Sequence, residues 1–532
     1  MPEEQSPPPP NETWRPAVSP WLVGVVVALA AFMEVLDTSI ANVALPYMAG
    51  SLGASTDEST WVLTSYLVSN AIVLPISGWI AGVFGRKRLF MLCLAIFTMS
   101  SVLCGLAPSL GAIILFRVLQ GAGGGGLQPM AQAILADTFP PQKRGLAFAL
   151  YGITTIMAPT IGPTLGGWIT DNYTWRWIFF INVPVGLITL LLVYRIVEDP
   201  PWVRRAPTAG VKLDYVGVGL LTIGIGALQV MLDKGQEDDW FGSHFILTLA
   251  LVAGVGLVSL FIWEWFHREP IIDVHLFRNL NFLGANFMMF VLGIMLFSSL
   301  VMMPLFLQTL LGYTAESAGL VLSGGSLMLL FLMPLAGALA GKVQARYLIA
   351  FGWLALCFGM YYSTLRLDLE ISFRSASLLR LVQVFGLAFL FVPINLSSYV
   401  GVPLEKNGSV AGLVNFMRNI GSSIGTSMVT TLLARRSQRH QTYLVAHTTA
   451  ARPVFERAQQ ALTAHLAISG LNISRAADQA YARLYRAVTG QAMTLAYIDI
   501  FWVLAIGAGI MFLLSFALRR NVPGAGGEVA AG

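Results

Sequence analysis

Apolar stretches of roughly 20 residues recur along nearly the whole chain, the length a helix needs to cross hydrocarbon, and nothing else in the sequence constrains the fold as much. Hydrocarbon offers no water to exposed peptide groups, so such segments cross a bilayer as helices whose backbone bonds close internally. The pattern predicts fourteen spans, at about 21–47, 61–83, 89–108, 111–136, 146–170, 177–197, 213–232, 245–266, 282–310, 317–340, 347–365, 375–396, 409–433 and 496–518. A hydrophobic fraction of 56% against 11% charged residues fits an integral membrane protein and no soluble domain of 532 residues.

Lysine and arginine set the orientation. Seventeen of them, including Arg86, Lys87, Arg88, Lys143 and Arg144, fall in the tails and the loops after even-numbered spans, against four in the opposite short loops. Both termini are therefore expected in the cytoplasm. The long segment 435–495 carries further arginines on the outer side, but long loops translocate largely regardless of charge. Its helical spacing of apolar residues predicts a small, partly helical outer insertion, either a connector or a surface for a partner. The expected organisation is a disordered tail (1–20), a six-helix half (21–200), a linker with two extra spans (201–270), a second six-helix half (271–520) and a terminal tail (521–532).

Inside the first span lie two carboxylates, Glu34 and Asp37, three residues apart and so on one helix face. A charge near mid-bilayer costs at least a few kcal/mol, which turns it toward a bundle interior or a wet cavity. This face is read as a site that binds and releases protons; the alternative is two neutral carboxyls hydrogen-bonded to helix neighbours. Cys93, Cys104 and Cys357 sit in apolar runs without metal-ligand spacing, so no metal or other cofactor is expected beyond a proton gradient. Nothing points to nucleic acid, and no Gly-Lys-Ser/Thr phosphate loop supports ATP-driven work. Two stretches echo one another, Gly78 to Lys87 and Gly337 to Arg346: in each a glycine is followed four residues later by another and then by a basic turn. Repeated halves are a mark of transporters.

Several motifs then follow in order. The first span holds Leu36-Asp37-Thr38-Ser39-Ile40-Ala41-Asn42-Val43-Ala44-Leu45-Pro46, and Gly78 to Arg88 closes on Phe84-Gly85-Arg86-Lys87-Arg88. The fourth span has Arg117-Val118-Leu119-Gln120-Gly121, and the fifth has Gly152, Pro159, Gly162, Pro163, Gly166 and Gly167. Span thirteen adds Asn415-Phe416-Met417-Arg418-Asn419. With these motifs the chain resembles the major facilitator superfamily, in particular its fourteen-span drug:proton antiporters of the EmrB/QacA type, EmrB branch.

The resemblance implies an all-α fold of two six-helix halves plus a two-helix insertion, exporting hydrophobic small molecules through the bacterial inner membrane by alternating access, with protons moving inward. It implies proton coupling at Asp37, more firmly than at Glu34, with Arg117 beside them. It also implies a gating loop at Gly78, Gly85, Arg86, Lys87 and Arg88, and an antiporter motif in span five. Glycine and proline there would let helices approach and bend, serving as a pivot between the halves. The family's usual loop aspartate is replaced by Gly82, with Gly341 at the repeat position, so Asp137 is the candidate substitute. Side chains that could face a cavity are Asn42, Tyr66, Asn70, Gln128, Gln132, Gln308, Asn395, Asn415 and Arg418. Few acids remain for a multivalent cation, which favours neutral or weakly acidic lipophilic substrates. An EmrA-like periplasmic adaptor and a TolC-like outer-membrane channel are the partners implied, besides the bilayer itself. Two other readings fit the same residues: a dedicated exporter of one metabolite or siderophore, and a transport-inactive membrane sensor or scaffold.

Overall fold

The computed structural model describes residues 16–201, 214–448, 453–469 and 472–518. Residues 1–15, 202–213 and 519–532, which hold most of the expected tails and the start of the linker, lie outside it. Helices make up the described chain, and it contains no strand. The first half comprises α1 (Pro20–Leu52), α2 (Thr56–Phe84), α3 (Arg86–Leu106), α4 (Leu110–Thr138), α5 (Arg144–Asn172), α6 (Trp177–Phe180) and α7 (Asn182–Ile196), the last two being one span interrupted at Ile181. The extra pair is α8 (Tyr215–Lys234) and α9 (His244–Phe266). The second half runs α10 (Leu280–Thr309), α11 (Ala315–Ala340), α12 (Ala345–Arg366), α13 (Phe373–Ser398), α14 (Asn407–His447), α15 (Pro453–Ile468) and α16 (Ile473–Leu514).

Local chemistry sets the ends of these helices. Ser55 and Glu58 form a reciprocal capping box at the start of α2, and the Asn279 side chain accepts from Asn281 and Phe282 at the start of α10. Gly85, at φ 87°, turns the chain from α2 into α3 in a conformation a side chain would oppose. Thirteen helices among the described residues are long and apolar enough to cross a bilayer. The fourteenth span, α14, is too polar to qualify by composition, because Asn415, Arg418 and Asn419 punctuate its apolar residues; yet it packs against α2, α4, α10 and α16 inside the bundle. Large apolar side chains such as Leu92, Met99, Leu187, Val255 and Phe331 stand exposed around the outside, as a lipid-facing surface requires.

The helices that hold the spans expected at about 409–433 and 496–518 run well beyond those limits, into the segment expected to be a partly helical insertion. α14 continues to His447 and α16 begins at Ile473, giving 41 and 42 residues. At 1.5 Å per residue each is roughly 60 Å long, against about 40–45 Å for a bilayer with its headgroups. The apolar stripe stops at the membrane surface, but the backbone hydrogen bonds do not need it to continue. α15 packs on the overhang through Leu466, Ala476 and Ala480. The end of the bundle bearing this projection is called distal here; the end where α1 starts and α16 finishes is proximal.

The extra pair straps one side of the bundle. α8 binds α2 through Asp233 with Thr64 and through Lys234, which donates to Thr60 Oγ1 at 2.5 Å. The same segment reaches α14 through Gln229 with Ser423 at 3.0 Å and Trp240 with Thr431 at 3.0 Å. α2 belongs to one half and α14 to the other, so the insertion touches both.

Candidate functional site

Asp37 is 2% exposed and held entirely within the first half. Its Oδ2 accepts from Arg117 Nη1 at 2.6 Å, and its Oδ1 accepts from Gln120 at 3.1 Å and Asn182 at 2.6 Å. Ser101 Oγ in turn takes Gln120 and Asn182, and Arg117 Nε donates to the Val62 carbonyl at 3.1 Å. The guanidinium also lies over the Tyr66 ring at 4.3 Å. A charged pair in a low-dielectric interior needs its remaining donors and acceptors satisfied, and here Arg117 Nη2 is the one nitrogen of the guanidinium left without a partner.

Glu34, one turn away and 3% exposed, belongs to a different network. Its Oε1 accepts from Tyr66 at 2.9 Å and Asn70 at 3.0 Å, while Oε2 takes the amide of Gln128. The Gln128 carbonyl is shared by Tyr151, at 3.2 Å, and by Arg418 of α14 in the opposite half. The single Tyr151 hydroxyl hydrogen lies between that carbonyl and the Asn415 carbonyl at 2.9 Å, so it serves one of them at a time; Asn415 bonds Gln132, and Gln132 bonds Asn395. The structure thus brings Tyr66, Asn70, Gln128, Gln132, Asn395, Asn415 and Arg418 into one polar seam between the halves. Asn42 and Gln308 stand apart from it, both exposed: Asn42 is about 140° around α1 from Asp37 by helical geometry, and Gln308 lies in the last turn of α10. Residue type and span could not separate these two from the rest.

At the proximal end the segment from Gly78 to Arg88 meets both halves. Arg86, 3% exposed, pairs with Asp137 and donates to the Leu404 carbonyl at 3.3 Å; Asp137 also accepts from Asn407 at 2.9 Å. Gly78 packs so tightly on α14 that an added Cβ would lie 2.6 Å from the Ser409 backbone. Lys87 stays within its own half, its backbone bonded to Asp199 and its ammonium to the Tyr194 carbonyl, each at 2.8 Å. Arg88 is exposed. Gly82 faces open space, bordering a cleft of ≈ 500 Å³ lined also by His267, Arg268 and Lys406.

The fifth-span motif, expected to serve as a pivot between the halves, divides its contacts between α1 of its own half and helices of the other. Gly162 and Gly166 pack on Ser39 and Ile40 of α1 in the same half, and the Pro159 carbonyl accepts from Ser39 at 3.2 Å. Gly167 faces open space, and Pro163 is half-buried beside them. Gly152 is the motif glycine that meets the other half, 2.8 Å from Phe391 for an added Cβ. The motif therefore seats the acid-bearing helix on α5 and also reaches the other half, where Ser326 of α11 donates to Thr160 Oγ1 at 2.7 Å and Gly319 lies against Thr164; outside the motif the halves also meet at Gly145 of α5 against Gly337 of α11. Gly337→Leu is expected to hold this seam apart at the proximal end. Its signature is cysteine pairs across α5 and α11 that no longer cross-link, with insertion into the membrane unchanged.

Reading the sequence missed Arg380, 1% exposed in α13, together with Gln383 and Ser363. The signal was present: Arg-x-x-Gln occurs at 117–120 and again at 380–383.

A buried polar seam between two matching six-helix halves, set in a lipid-facing bundle, is the architecture of a membrane transporter and not of an enzyme. The chain belongs to the Major Facilitator Superfamily, whose model matches residues 27–426. It is 38% identical over 497 residues to the multidrug export protein EmrB of Haemophilus influenzae, covering 93% of this chain and 95% of that protein. It is 41% identical to the fatty acid resistance protein FarB of Neisseria gonorrhoeae over 433 residues, 80% of this chain and 83% of that one. The solved proton:xylose symporter XylE shares the fold at a TM-score of 0.58 and 15% identity, covering 96% of this chain and 97% of its own.

Proposed function

We propose that this chain exports lipophilic small molecules through the bacterial inner membrane by proton-driven antiport, with both termini in the cytoplasm. The relatives named for multidrug export and fatty acid resistance support the substrate class. The observation that carries the coupling is the link from Glu34 through Gln128 to Arg418. Ionised Glu34 accepts the Gln128 amide, which leaves the Gln128 carbonyl for Arg418. A protonated Glu34 becomes a donor, so Gln128 must turn its oxygen toward it and present its amide hydrogens to Arg418. Donor then faces donor, and the bond between halves is lost.

In this cycle a proton arriving from the distal side loosens the seam. The halves then rock, the Arg86, Asp137 and Asn407 closure parts, and the proton leaves into the cytoplasm as substrate loads against the apolar walls. Asp37, locked to Arg117, keeps α1 in register with α4 and forms the second acid of the path. The projection of α14, α15 and α16 is the surface offered to an EmrA-like adaptor, with a TolC-like channel beyond it. Proteoliposomes test the transport reading directly. An imposed pH gradient should drive accumulation of a fluorescent lipophilic dye, abolished when a protonophore collapses the gradient. Dye movement indifferent to the gradient would refute antiport, and no movement at all would favour a sensor.

A further inference from the structure

The second half repeats the Asp37–Arg117 cluster without its acid. Arg117 Nη1 bonds Gln120 at 2.9 Å, and Gln120 bonds Ser101 at 3.2 Å. Correspondingly, Arg380 Nη1 bonds Gln383 at 3.4 Å, and Gln383 bonds Ser363 at 2.9 Å. Where α1 presents Asp37 to the first arginine, α10 presents Ser299 to the second, with the hydroxyl 3.2 Å from Arg380 Nη1. The aromatic cover is missing as well. Tyr66 stands twelve residues before Gly78 and lies over Arg117; twelve residues before the echoing Gly337 stands Gly325, whose added Cβ would lie 3.2 Å from Arg380 Cγ.

Arg380 is a fully buried guanidinium without a carboxylate, and its Nε has no partner, just as Arg117 Nη2 has none in the first half. The helices that pack on α13 supply no nearby carboxylate: α10, α12 and α14 contain none, and Glu316 of α11 and Asp171 of α5 are exposed at distal helix ends. Glu316 lies roughly 14 Å along α11 from Gly325. A guanidinium so placed needs either a counter-charge or full hydration. Two of the groups that neutralise or cover its counterpart, the Asp37 carboxylate and the Tyr66 ring, have smaller residues in their place around Arg380.

We infer that Arg380, with Ser299 and Gln383, binds a small monovalent anion, either a halide or the carboxylate of a short organic acid. The site goes beyond the proton path proposed above and does not depend on it. The test is thermal unfolding of the full-length protein in detergent, followed by tryptophan fluorescence, with gluconate exchanged for chloride or acetate at constant ionic strength. Saturating anion should raise the midpoint by about 2–4 °C. A rise with chloride alone marks a halide site, and one with acetate alone marks a carboxylate site. Ser299→Asp supplies the acid internally, so its midpoint should start higher and ignore both anions. Arg380→Gln should also be unresponsive, and if it fails to fold, Ser299→Asp decides. No shift with either anion in the unmodified protein, or a full shift retained by Ser299→Asp, overturns the proposal.

Discussion

Glu34→Gln is expected to insert and fold, yet to move substrate without regard to a pH gradient. Glutamine keeps an oxygen for Tyr66 and Asn70 but replaces the acceptor facing Gln128 with an amide, imitating the protonated acid permanently. Gln128 must then turn away from Arg418, which leaves the seam in its loosened form whatever the pH. Gradient-driven accumulation should fall at least about tenfold, equivalent to roughly 1.4 kcal/mol of lost coupling, while downhill dye exchange continues. Reconstituted vesicles measure both. Accumulation at the unmodified level would remove Glu34 from the coupling path.

Asp37→Asn should behave differently, damaging stability as well as transport. The change leaves Arg117 buried at 0% exposure without its counter-charge, a loss of about 3–5 kcal/mol when one partner of such a pair is removed. Unfolding in detergent should therefore come at lower temperature, and transport should be lost. The double substitution Asp37→Asn with Arg117→Gln removes both charges and should recover much of the thermal stability without recovering transport. A double variant no more stable than Asp37→Asn would mean that the charge pair is not what holds α1 to α4. Together these substitutions separate the two acids, one read out in coupling and the other first in folding.

Much of the fold could be read from the chain because membrane crossing is a local property. Length and apolarity alone mark a span, since each helix satisfies its own backbone. The helix ends at His447 and Ile473 escaped that reading, because beyond the bilayer surface the apolar signal disappears while the helix does not. Glu34, Asp37, Arg117 and Arg86 stood out for the same local reason: a charge within or at the edge of an apolar run has to be accounted for. Arg380 was equally visible in principle, yet its span contains no acid to draw attention to it.

The sequence by itself determined the membrane class, nearly all the spans, the repeated glycine pattern and the four charges Glu34, Asp37, Arg86 and Arg117. Only the tertiary structure decided the pairings: Asp37 with Arg117 inside one half, Glu34 through Gln128 to Arg418 across the two, and Asp137 with Arg86 where Gly82 leaves an open cleft. It also turned the fifth-span glycines Gly162 and Gly166 toward α1, away from the opposite half. The physical reason is that a span announces itself through its own residues, whereas a buried charge is satisfied by whichever helix packs against it. For Glu34 and Arg418 that partner lies in the other half of the chain.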